Sequence, residues 1–176
     1  YPHRFQERQT KEARCPPSQY LMARGNEKKA EKYFNKILKN LKANHSDIVR
    51  IGNAFLSARR FENAKQIYLK GRELLGDKTA YGFQLGSIFL QEGDYESIAK
   101  EYLFMLESDS RNLPQIEANL AALFARDSSN LIQTVETQWQ QLYRKHKTNP
   151  YFSQFGLWLY TQSNQFDKAL EMAKYI

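Results

Sequence analysis

The chain has 176 residues, 41% of them hydrophobic and 26% charged, with a net charge of +7. That is enough for a folded domain with a sizeable core, and no run approaches the ~20 apolar residues of a membrane helix. One cysteine, Cys15, excludes an intramolecular disulfide framework and a multi-cysteine metal site.

Residues 1–26 are polar, broken by Cys15-Pro16-Pro17 and without a period, and they read as a partly irregular lead-in. From Glu27 to Ala43 the pattern turns helical. Ala30, Phe34, Ile37, Leu38 and Leu41 form one apolar stripe, with lysines opposite. A helix is expected from Asp47 to about Ala58, with Ser46 or Asp47 as N-cap, followed by a second from Phe61 to about Leu75, stopped by Gly76-Asp77. The next pair runs Thr79–Gln91 and Tyr95 to about Glu107, joined by Glu92-Gly93-Asp94. Asn112-Leu113-Pro114 opens a helix striped by Ile116, Leu120, Leu123 and Phe124. After a turn at Asp127-Ser128-Ser129-Asn130, Leu131 to about His146 forms its partner, with Val135, Trp139 and Leu142 inward. Pro150 starts a helix with Phe152, Phe155, Gly156 and Leu159, and Gln165-Phe166-Asp167-Lys168-Ala169 opens a last one that the end of the chain cuts short. The start at Tyr1 and this end lead to the expectation of a piece of a longer chain, trimmed or processed. Cytoplasmic and periplasmic or secreted placements both stay open.

The chain repeats itself. Gly52 and Gly86, Phe55 and Phe89, Leu56 and Leu90, Phe61 and Tyr95, and Tyr68 and Tyr102 are all 34 residues apart. Glycine in a helix costs up to ~1 kcal/mol relative to alanine, so a recurring mid-helix glycine calls for a close approach between helices. Gly52 with Ala64 and Gly86 with Ala99 are the expected contact pairs. Aromatics at the turns (Phe61, Tyr95, Phe166) are expected to wedge between one pair and the next.

Helix–turn–helix units with a period of 34 resemble the tetratricopeptide repeat family. The resemblance spans residues 27–176. It is carried by Ile51, Gly52, Phe55, Ala64 and Tyr68, then by Leu85, Gly86, Phe89 and Tyr102, and later by Gly156 and Phe166-Asp167-Lys168-Ala169. It implies an all-α, right-handed solenoid of antiparallel helix pairs, with four to five units at about 27–44, 45–78, 79–112, 113–149 and 150–176. The 113–149 unit departs from the pattern, with no glycine in its first helix and about three extra residues. The family usually binds protein segments on the concave face lined by the first helices. Here that face would carry Val49, Asn53 and Leu56, then Phe83, Ser87 and Gln91, then Tyr151, Gln154 and Trp158. Asn53 matches one residue of the clamp by which some members hold a chaperone's C-terminal carboxylates. Val49 and Gln84 stand where that clamp needs lysine and asparagine, so no chaperone-tail binding is expected.

No catalytic, cofactor or metal constellation is legible. His3, His45 and His146 are scattered without ligand spacing, Gly82 and Gly86 lie within a helix and not in a phosphate loop, and Asn44-His45-Ser46 is a glycosylation sequon only in a eukaryotic secretory pathway. Residues 1–78 hold 18 Lys/Arg against 8 Asp/Glu, and 79–176 hold 8 against 11. Lys28, Lys29, Lys32, Lys36 and Lys39 crowd one segment, which is either a solvated helix face or a patch for an acidic partner. The leading expectation is a non-enzymatic scaffold for a peptide or protein partner. An RNA-binding helical repeat using the basic half ranks below it, and a structural spacer in a larger chain is the third reading.

Overall fold

The computed structural model describes residues 27–126, 129–174 and 176. The lead-in 1–26, with His3 and Cys15, and the Asp127-Ser128 part of the expected turn lie outside the described residues. Among those described, the fold is all helical: α1 (Glu27–Lys39), α2 (His45–Ser57), α3 (Phe61–Leu75), α4 (Gly82–Glu92), α5 (Tyr95–Ser108), a 3-10 turn (Ser110–Asn112), α6 (Leu113–Phe124), α7 (Ser129–Tyr143), α8 (Pro150–Gln162) and α9 (Phe166–Ala173). They divide into two compact units at the Tyr81–Gly82 junction.

In the first unit α2 and α3 pack as a hairpin and α1 packs on α3. Ala30, Phe34 and Leu41 are buried, and the Phe34 and Phe55 rings meet edge to face at 5.3 Å. The α2 N-cap is Asn44, not Ser46 or Asp47: its Oδ1 accepts the Asp47 N–H at 3.0 Å, and the helix therefore starts at His45. The expected helix start at Thr79 is also displaced. Asp77 Oδ1 accepts from the Thr79 N–H, the Thr79 hydroxyl and the Ala80 N–H at 2.8, 2.7 and 3.1 Å, which winds a turn there. Tyr81 then takes φ 62°, a left-handed conformation that a helix cannot pass through, and α4 begins only at Gly82. The buried Tyr81 ring stacks on His45 at 5.3 Å and lies 5.2 Å from the Tyr68 ring.

In the second unit α4 with α5 and α8 with α9 form hairpins, α5 packs on α7, and α6 packs on α8. The third pair is different, because α7 lies mainly against α5 and α8 and touches its own partner α6 only lightly. One core runs from Ile98 through Leu120, Trp139 and Phe155 to Met172.

The glycines explain the pairing. A Cβ on Gly52 would run into the Tyr68 ring, and one on Gly86 into the Tyr102 ring and hydroxyl. The nearest atoms are therefore those of a tyrosine on the facing helix, not of Ala64 or Ala99. The glycine is a seat for a large ring, which buries more apolar surface than two small residues in contact. Counting on by 34 from Gly86 gives Leu120, fully buried, where a seat is missing. Trp139, the aromatic of that pair, instead lies over Gly156 of the next helix, α8. Its Nε1 donates to the Phe152 carbonyl at 3.2 Å, and the Tyr160 ring meets it edge to face at 5.5 Å. Of the turn aromatics, Phe61 and Tyr95 are half-buried, but Phe166 is 63% exposed and does not act as a wedge.

Candidate functional site

The second unit carries an open groove of about 1230 Å³ between α5 and α7. Its α5 wall presents Glu96, Lys100, Glu101, Phe104 and Glu107; its α7 wall presents Gln133, Thr134, Thr137, Gln138 and Gln141, with Lys145 just past the helix end and Leu103 and Leu142 adding apolar surface. Two contacts tie the walls together. Gln138 Nε2 donates to the Glu96 carbonyl at 3.4 Å, and His146 Nε2 lies 2.8 Å from Glu107 Oε1. His146 is held for this contact by stacking on Phe152, at 4.7 Å between centroids. The Thr134 and Thr137 hydroxyls donate back to the Asn130 and Gln133 carbonyls, both at 2.8 Å. Phe104 is 40% exposed, so the groove combines an uncovered ring with a ladder of amides.

None of the residues expected on a concave face lines this groove, which belongs to the second helices of the pairs. Val49, Asn53 and Leu56 belong to the first unit and the others to the second. Val49 and Leu56 are half-buried. Asn53 is exposed, and its Oδ1 accepts from the Tyr68 hydroxyl at 2.8 Å. That bond uses Asn53 to finish the glycine seat: burial pushes the Tyr68 phenol up to about 12, and the proton it keeps is the one donated. Phe83 lies 5.5 Å from the Tyr102 ring, the Ser87 hydroxyl donates to the Phe83 carbonyl at 3.1 Å, and Gln91 is exposed.

The expected α8 residues are out of phase. Alignment of Gly156 with Gly86 puts Ser153, Leu157 and Thr161 where α4 has Phe83, Ser87 and Gln91. Tyr151 and Gln154 are exposed. Trp158 packs at the edge of the core, its ring 5.8 Å from Phe124 and 5.6 Å from Phe155. Ser153 is buried, with its hydroxyl 3.3 Å from that of Tyr143.

Two features of charge complete the inventory. Glu117 of α6 stands 34 residues after Phe83; its Oε1 is buried without a hydrogen-bond partner, and burial raises its pKa above the ordinary carboxylate range. On α1, Lys28, Lys29, Lys32, Lys36 and Lys39 are all exposed. Among the described residues none of them is in an ion pair, whereas Lys65, Lys70, Lys100 and Lys168 each are. No group of three or more His, Cys, Asp or Glu able to hold a metal occurs among the described residues, nor does a helix long and apolar enough to cross a membrane.

Sequence reasoning missed the α5–α7 groove because its residues follow no repeat. The one available signal was the run of amides and hydroxyls in α7 (Gln133, Thr134, Thr137, Gln138, Gln140, Gln141), beside the inward stripe of Val135 and Trp139. Neither a family model nor a curated protein matches the chain.

Proposed function

We propose that the chain is a tetratricopeptide-type helical-repeat scaffold, a solenoid of helix pairs that binds a peptide or protein partner and carries out no catalysis. The observation that carries this reading is the α5–α7 groove. Along α7, Asn130 to Leu142 spans about 18 Å at ~1.5 Å per residue, which accommodates roughly five or six residues of extended chain. Amides that both donate and accept suit the main chain of such a segment, and the exposed Phe104 ring with Leu142 supplies an apolar anchor. The glycine seats and the 34-residue period support the solenoid part of the reading.

A displayed library of random peptides, panned on the whole chain, tests it. Peptides that lose at least tenfold in affinity on Phe104→Asp and Gln141→Ala, and keep it on Ser87→Ala and Gln91→Ala, place the ligand in this groove. The opposite pattern moves binding to the first helices of the pairs. A library that yields no binder overturns the scaffold reading in favour of a structural spacer.

A further inference from the structure

We infer that the outer face of α1 is a binding surface for single-stranded nucleic acid, separate from the groove of the second unit. Lys28, Lys32, Lys36 and Lys39 follow spacings of four, four and three, which at 100° per residue keeps them within a narrow arc of the helix. They form a row with a charge every ~5–6 Å along the axis. Glu31 falls toward the apolar border of the helix, outside the row. The opposite face is fixed by the burial of Ala30 and Phe34, so the row is held in one direction by the fold.

Helical lysines on a merely solvated surface tend to acquire carboxylates three or four residues away, as Lys65, Lys70 and Lys100 do here. On α1 only Lys28 has a carboxylate at such a spacing, Glu31, and among the described residues none of the α1 lysines is in an ion pair. Residues 27–81 together carry 13 Lys/Arg and 6 Asp/Glu.

A row of cations alone fits any polyanion. Tyr33 narrows the choice: it is 45% exposed and sits one turn from both Lys29 and Lys36. A ring held among lysines is the arrangement that stacks a base while the cations take the neighbouring phosphates. An acidic peptide or an anionic lipid surface is drawn first by the charges, so dependence of binding on the ring at constant salt slope is what sets a nucleic acid apart.

The test is fluorescence anisotropy of a labelled 15-mer of oligouridylate with the whole chain, at salt from about 50 to 200 mM. Neutralisation of four phosphates makes affinity fall about 50-fold across that range. The triple variant K28A/K32A/K36A should flatten the logarithmic salt slope by about two. Tyr33→Ala should weaken binding at least fivefold with the slope unchanged, because stacking releases no counterions. All four positions are exposed, and circular dichroism with a thermal melt confirms that the variants fold. Absence of binding at low salt, or binding indifferent to the triple variant, overturns the inference. So does a polyglutamate peptide or a phosphatidylglycerol vesicle that binds as tightly and ignores Tyr33→Ala. Loss of library peptides through Phe104→Asp leaves this result unaffected, so the two readings fail separately.

Discussion

Gly86 illustrates how a single missing side chain organises a helix pair. Replacing it with leucine sets about 1 kcal/mol of gained helix propensity against overpacking on the buried Tyr102 ring, which costs about 1–3 kcal/mol or more. Gly86→Leu is therefore expected to lower the thermal midpoint, and an unchanged melting temperature would refute the seat. Because the Tyr102 hydroxyl is among the nearest atoms, Tyr102→Phe should recover part of the loss in Gly86→Ala; simple additivity of the two changes would rule out their contact. Glu117 gives the pH case. Its folded pKa lies above its unfolded one, so the native state holds the proton more tightly, and its contribution to stability declines as pH rises through that window. Glu117→Gln should raise the melting temperature at pH 7 and lose that advantage as pH drops below the ordinary glutamate range. A gain that is constant with pH would show that the carboxylate is not the cause.

Among the elements, helix existence was legible in the sequence and helix boundaries were less so. The periodic stripes of Ile48 with Phe55, and of Ile116 with Leu120, locate their helices because burial of an apolar face outweighs local propensity. The start of α4 was not legible, since it depends on Asp77 gathering three donors and on Tyr81 adopting a left-handed backbone, neither of which is visible as a period. Capping is the level at which these boundaries can be tested. Asp94 accepts from the Ser97 N–H at 3.0 Å and the Ser97 hydroxyl at 2.6 Å at the start of α5. Asp94→Ala should cost about 1 kcal/mol in denaturant unfolding. A cost within ±0.2 kcal/mol would mean that the end of α5 is held by packing instead.

For the chain as a whole, the repeat could be read from the sequence wherever a glycine and an aromatic recur at fixed distance, and it failed where they do not. In α6 and α7 the extra residues and Leu120 break the count, and the groove that results belongs to no repeat position. The concave-face assignments on α8 went out of phase for the same reason: Tyr151, Gln154 and Trp158 were not aligned on Gly156. Charge, by contrast, is legible by counting. With 13 Lys/Arg against 6 Asp/Glu in residues 27–81, self-repulsion should weaken the compact state at low ionic strength. The melting temperature is expected to rise as salt is increased to about 0.3 M, where the Debye length falls well below the ~10 Å it has at 0.1 M. A melting temperature that falls with salt would show that attractive pairs dominate instead.

Trp139 sets where the second unit can be divided. The loop at 146–149 marks the end of a repeat by count, yet the indole on one side of it rests on Gly156 and donates to the Phe152 carbonyl on the other. A shortened chain ending at Asn149 would leave the largest core side chain against solvent and its N–H without that acceptor. The unit of deletion, insertion or exchange in this stretch is thus larger than the pair by which it is counted, because α7 is bound to α8 through Trp139 and lies mainly against α5 on its other side.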